Sequence, residues 1–133
     1  MLLELEALRL AFPQHNAQTL GRAERWLREF ELETDPMRLG EIDREFHAAL
    51  YAPAKKEKLF DLINSLRTFS NRAYYLQMST PRHLKQCHAA HAEIFENCKK
   101  QKLRAASDWL RRHLLDAGAV VAECAAKFRA EAN

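Results

Sequence analysis

The sequence predicts an all-α protein, an antiparallel bundle of about six helices. Three observations carry this. The strong helix formers Ala, Leu, Glu, Arg and Lys dominate the chain. With three glycines and four prolines there is too little turn material for a many-stranded β fold. Apolar residues recur three and four positions apart along nearly the whole length, and no stretch shows the period of two that a half-buried strand needs. At 133 residues, 47% hydrophobic and 29% charged, the chain reads as one domain (1–133) able to bury a core.

The first helix spans residues 1–12, with Leu2, Leu5, Leu8 and Phe12 at helical spacing, and Pro13-Gln14-His15-Asn16 breaks it. The second runs from about Gln18 to Leu32, with Leu20, Ala23, Trp26, Leu27 and Phe30 inward and a charged opposite face. Thr34-Asp35-Pro36 supplies an N-cap followed by proline at the first helical position, so a third helix covers 36–51 until Pro53. A fourth follows the Lys55-Lys56-Glu57-Lys58 run and continues to Met78, with Leu59, Leu62, Ile63, Leu66, Phe69, Ala73 and Leu76 as its stripe. Ser79-Thr80-Pro81 repeats the cap-then-proline signal. It opens a fifth helix over 81–98 with Leu84, Cys87, His88, His91, Ile94, Phe95 and Cys98 on one face. After the polar turn 97–102, a sixth helix from Leu103 to Phe128 turns Leu103, Ala106, Leu110, His113, Leu114, Ala117, Val121, Cys124 and Phe128 inward. Gly118 inside it suggests a close helix contact or a bend.

Several function classes recede on composition alone. A net charge of +3 is too small to argue for nucleic-acid binding. Lys99, Lys100, Lys102, Arg104, Arg111 and Arg112 cluster in sequence but read as a solvated surface, and Trp26 and Trp109 as packing or subunit contacts. No apolar run reaches the ~18 residues of a membrane span, and no signal peptide opens the chain. Cys87, Cys98 and Cys124 are odd in number and lack the Cys-x-x-Cys spacing of metal knuckles, so they read as reduced thiols of a cytoplasmic protein.

The chemistry concentrates around Ile42-Asp43-Arg44-Glu45-Phe46-His47. Asp43 and His47 are four apart and leave one helix face, on the shoulder of the apolar stripe Ile42, Phe46, Ala49 and Leu50. Inward-pointing polar groups need partners. His91 and His113 lie inside the apolar stripes of two other helices. One carboxylate and three imidazoles converging in a helical core would make a divalent-metal site. The plainer account is a set of hydrogen-bonded core histidines, with Asp43 and His47 as a simple i,i+4 pair. Three histidines and an aspartate on three amphipathic helices favour the metal, because buried neutral imidazoles gain little unless something accepts their lone pairs. Spacing alone does not choose between His88 and His91. Cys87, four before His91, has the chemistry to ligate a soft metal but reads as a core filler. His15, in a loop, and His83, off the stripe, read as solvated.

The stretches "IDREFHAAL", "AAHAEIF" and "WLRRHLL" together resemble the FCD domain, the effector-binding and dimerisation domain of the FadR subfamily of GntR-type bacterial transcription regulators. The resemblance covers residues 5–128. It implies that Asp43, His47, His91 and His113 bind one divalent transition metal ion (Zn, Ni, Mn or Fe). Ile94 follows His91 at the family's interval, which selects His91 over His88. It further implies a small carboxylate effector in the bundle core, a homodimer, and DNA contact only through an N-terminal winged helix-turn-helix that this chain lacks, so that the chain is the C-terminal part of a longer regulator. Ala90 stands where the family usually has glutamate, which would loosen the surroundings of His91. Arg72 flanks the stripe of the fourth helix at about 100° from its centre, falls where the family often carries arginine, and is the expected effector anchor, with Arg67 farther round. The alternative is a metal-dependent, hydrolase-like enzyme. It needs a general base, and Glu45, about 160° round the helix from His47, and Glu93, off its stripe, both point away, so no enzyme is expected.

Overall fold

The computed structural model describes residues 2–68 and 71–133, apart from the side chains of residues 71–73 and of Cys124. Among them are seven α-helices and no strand: α1 Leu2–Ala11, α2 Ala17–Leu32, α3 Pro36–Tyr51, α4 Glu57–Thr68, α5 Asn71–Ser79, α6 Pro81–Lys99 and α7 Leu103–Ala132. None is long and apolar enough to cross a membrane.

Local chemistry sets the helix ends. Asn16 starts α2 one residue earlier than expected: its Oδ1 accepts from the backbone N–H of Gln18 and Thr19, while Thr19 Oγ1 accepts from Asn16 N–H, a complete capping box. Asp35 caps α3 through Met37 N–H at 3.1 Å, with Pro36 in the first turn. Pro81 opens α6 as expected, but Thr80 does not cap it. Its hydroxyl instead donates back to the Leu76 carbonyl. A short 3₁₀ turn around Pro13 ends α1, and His15 anchors it through a 2.9 Å contact from Nε2 to the Leu50 carbonyl. His15 is therefore a half-buried tie between α1 and α3, not the solvated loop residue the sequence suggested. Gln101 closes the α6–α7 turn at φ 59°, in the left-handed region, while Lys102 N–H bonds back to the Asn97 carbonyl.

α3 lies at the centre of the bundle, packed on α1, α2 and α5, while α6 packs on α2, α5 and α7. One core cluster gathers Leu8, Phe46, Leu50, Ile94, Phe95 and Leu110, and a second gathers Phe30, Leu39, Ile42, Met78 and Cys87.

The expected fourth helix is described as α4 and α5 on either side of residues 69–70, which include Phe69 and lie outside the described residues; α4 packs on α1, and α5 packs on α3, α6 and α7. Only part of the expected stripe of α4 is its buried face: Ile63 is buried and Leu59 packs on the core. Leu62 and Leu66 are 49% and 52% exposed, while Ile63 and Arg67 turn inward. Helical periodicity marks one apolar face but not which neighbour covers it. The last turns of α7 likewise run past the core, so Phe128 is 47% exposed and Val121 half-buried, with Cys124 outside the described side chains. Gly118 is also not a close contact, since a Cβ there would meet nothing within 4 Å and α7 continues through it.

Candidate metal centre

Asp43 and His47 leave the buried face of α3 one turn apart. His91 enters from the middle of α6 and His113 from α7. All four are buried, Asp43 to 2% exposure and His91 to 0%. One potential ligand atom from each lies within 4.8 Å of the others. Asp43 Oδ1 is the hub, with Nε2 of His91 at 2.7 Å, of His47 at 3.3 Å and of His113 at 3.8 Å. The rings cluster: His47 and His113 are stacked with centroids 5.2 Å apart, and His91 stands edge-on to both. His91 is held between the two core clusters, against Phe30 and Phe46. His91 joins this cluster, whereas His88 is half-buried and stacks on Phe30.

Around the hub runs a closed ring of polar groups that sequence reasoning missed. Arg67 Nη1 donates to Asp43 Oδ2 at 3.1 Å, and Nη2 donates to Glu4 Oε1. Tyr51 O–H donates to the same Glu4 oxygen at 3.0 Å, and its own oxygen lies 3.5 Å from His47 Nδ1. With its proton committed to Glu4, the Tyr51 oxygen is free to accept from His47 Nδ1–H. That leaves His47 Nε2 as a bare lone pair aimed at the hub, and Nε2 is buried without a hydrogen-bond partner among the described residues. His91 Nδ1 is also buried and unpartnered, consistent with Ala90 standing where a carboxylate was expected.

Protonation follows from this environment. Burial alone would raise the Asp43 carboxyl, but His47, His113 and His91 outweigh it and hold it well below the carboxylate range. Burial likewise opposes Glu4, and Arg67 and His47 outweigh it and hold Glu4 down. Burial pushes His91 down to about 3 and, with Arg67, lowers His47. At neutral pH the Asp43 and Glu4 carboxylates, the Arg67 guanidinium and neutral His47 and His91 imidazoles therefore meet in one buried site. This is the protonation state a divalent cation requires of such ligands. Ligands at ~2.1 Å from one ion stand roughly 3.0–3.4 Å apart at octahedral to tetrahedral angles. The separations of 2.7–3.8 Å from the hub bracket that range. The residues fit the implied metal.

Two openings reach the centre. A cavity of about 340 Å³ between α3 and α5 is lined by Gly40, Asp43, Arg44, Arg67 and Tyr74. A smaller one of about 130 Å³ is lined by Gln77, His83, Cys87, His113 and Asp116. His83 is thus half-buried at a cavity wall and not solvated. Arg72 lies on α5 with its side chain outside the described residues, and Arg67 is the buried arginine that meets Asp43. Glu45 and Glu93 are exposed.

No curated protein matches the sequence. The fold superposes on the crystal structure of a transcriptional regulator (GntR family member) from Pseudomonas syringae pv. tomato with a TM-score of 0.83 and 24% identity, over 99% of this chain and 56% of that one. The chain thus spans little more than half of that protein's length, and at this identity the likeness is one of fold. The FCD domain family matches residues 1–116, from α1 through the α7 segment that carries His113, and the chain belongs to that family.

Proposed function

We propose that this chain is the effector-sensing and dimerisation domain of a cytoplasmic transcription regulator of the FadR subfamily of GntR-type proteins. In this reading it holds one divalent transition metal ion through Asp43, His47, His91 and His113, and DNA is contacted only by a separate N-terminal domain. The observation that carries the reading is the convergence of these four buried donors from three helices within 4.8 Å. Imidazole and carboxylate donors suit Zn, Ni, Mn or Fe. A bound ion supplies a Lewis-acidic position for one carboxylate oxygen of a small organic acid. The cavity of about 340 Å³ is the size of a small-molecule site. Arg67 is already shared between Asp43 and Glu4, so its role is to orient Asp43. Arg44 lines the same cavity, and Arg72 on α5 is the proposed second anchor for the acid.

Elemental analysis of the purified protein and of a His91→Ala variant tests the centre. The expected result is about one transition-metal ion per chain, lost in the variant. Absence of metal from both proteins after loading with Zn or Ni would remove the metal from this reading.

A further inference from the structure

Cys87 sits one helical turn before His91 on α6, with its side chain on the same inward face. It is 2% exposed. Its Sγ lies 3.6 Å from His91 Nε2 and 4.0 Å from Asp43 Oδ1, the two atoms at the heart of the donor cluster. We propose that Cys87 is a fifth protein donor to the metal centre, making it a mixed imidazole, carboxylate and thiolate site that favours soft and borderline ions over Mn and Mg. This rests on the reading of Asp43, His47, His91 and His113 as metal ligands.

Cys87 stands at the edge of the four-donor cluster, on its Asp43 and His91 side. Its sulfur is nearly as close to the hub oxygen as His113 Nε2 is, 4.0 Å against 3.8 Å, and sulfur bonds metals at longer range than nitrogen. With metal–sulfur and metal–nitrogen bonds of ~2.3 and ~2.1 Å, donors on one ion stand roughly 3.1–3.6 Å apart at octahedral to tetrahedral angles. The distance to His91 Nε2 is already in that range. A second, independent observation points to an ion in the same space: His47 Nε2 is 1% exposed as a residue, has no hydrogen-bond partner, and faces the same hub.

The bond accounting is simple. Without metal the thiol is protonated, its S–H directed toward Asp43 Oδ1. On coordination the S–H bond breaks, the sulfur lone pair forms the metal bond, and the proton leaves to solvent. The cavity of about 130 Å³ shared by Cys87, His113 and Asp116 gives that proton a route out. The ligand set has a functional consequence. Thiolate donation selects Zn, Co or Cd over the harder ions that four nitrogen and oxygen donors alone would accept.

The test loads the wild-type protein and Cys87→Ser, Cys87→Ala and Cys98→Ser variants with Co²⁺, measures bound cobalt, and records the near-ultraviolet spectrum. The expected result is a thiolate-to-cobalt charge-transfer band in the wild type and in Cys98→Ser, lost from both Cys87 variants while cobalt still binds. In competition, the preference for Cd²⁺ over Mn²⁺ falls roughly tenfold in Cys87→Ser, the smallest change expected when a bound ion loses a partner. Stoichiometric cobalt with no band in the wild type overturns the assignment of Cys87 and leaves the four-residue centre standing. A band that survives in a folded Cys87→Ser protein overturns it equally. No cobalt in any protein overturns both. If both Cys87 variants fail to fold, the wild-type spectrum alone decides.

Discussion

Replacing Arg67 by methionine removes a buried cation that Asp43 and Glu4 share, while a long apolar side chain keeps most of the packing of its stem. Arg67 is 7% exposed, Asp43 2% and Glu4 8%, so the two carboxylates left behind gain little from water. Breaking a buried ion pair from one side costs about 3–5 kcal/mol, because the remaining charge is uncompensated. In a domain of this size that corresponds to a fall in Tm of roughly 10–20 °C. Thermal and urea denaturation of the metal-free protein, followed by circular dichroism, measures it. The cost is shared with Glu4, so the double variant Arg67→Met with Glu4→Gln is expected to be less destabilised than the sum of the singles, by about 0.5–3 kcal/mol. Metal should also rescue Arg67→Met more than wild type, since loss of the guanidinium leaves the site one charge more negative. A loss below about 1 kcal/mol for Arg67→Met, or strict additivity with Glu4→Gln, would refute the reasoning, since either means that the ring Glu4–Arg67–Asp43 contributes no more than an exposed pair.

Two further outcomes follow from particular residues. His91 is pushed from 6.5 to about 3 by burial, so between those values the unfolded chain binds a proton that the folded chain does not. Stability of the metal-free protein therefore rises with pH across that window and is lost on acidification, and the depressed Asp43 and Glu4 carboxyls add loss in the same direction at the acid end. Denaturant midpoints in buffers from pH 7 to pH 4 check the slope, and a midpoint independent of pH would contradict a buried neutral His91. Gln101 holds φ 59° at the α6–α7 turn, so Gln101→Gly should stabilise the fold by about 0.5–1 kcal/mol, read as a higher urea midpoint with an unchanged slope.

Much of this molecule was legible in one dimension because helices obey local rules. The 3.6-residue period, Asp35 before Pro36, and Pro81 after Thr80 are effects of neighbouring residues, and α2, α3 and α6 stand within a residue or so of where those signals put them. Asp43, His47, His91 and His113 were visible for the same reason. Each is a polar group on an otherwise apolar face, an inconsistency that asks for a partner. The partners themselves could not be read. Glu4, Tyr51 and Arg67 come from α1, α3 and α4, and each looks unremarkable within its own helix, because a charge on a helix shoulder is indistinguishable from a solvated one until its neighbour is known. α4 shows this most directly. Its period pointed to Leu59, Leu62, Ile63 and Leu66, yet only the Leu59 and Ile63 side faces the bundle, together with Arg67, because the direction from which α1 approaches decides which side of an amphipathic helix is inside. Cys87 belongs to the same class. The sequence shows it one turn before His91 on an apolar stripe, but only the approach of α3 to α6 brings its sulfur to 4.0 Å from Asp43 Oδ1. Periodicity is a property of one segment, whereas a charge pair or a ligand set is a property of two or three segments meeting at a distance and angle that no local signal encodes.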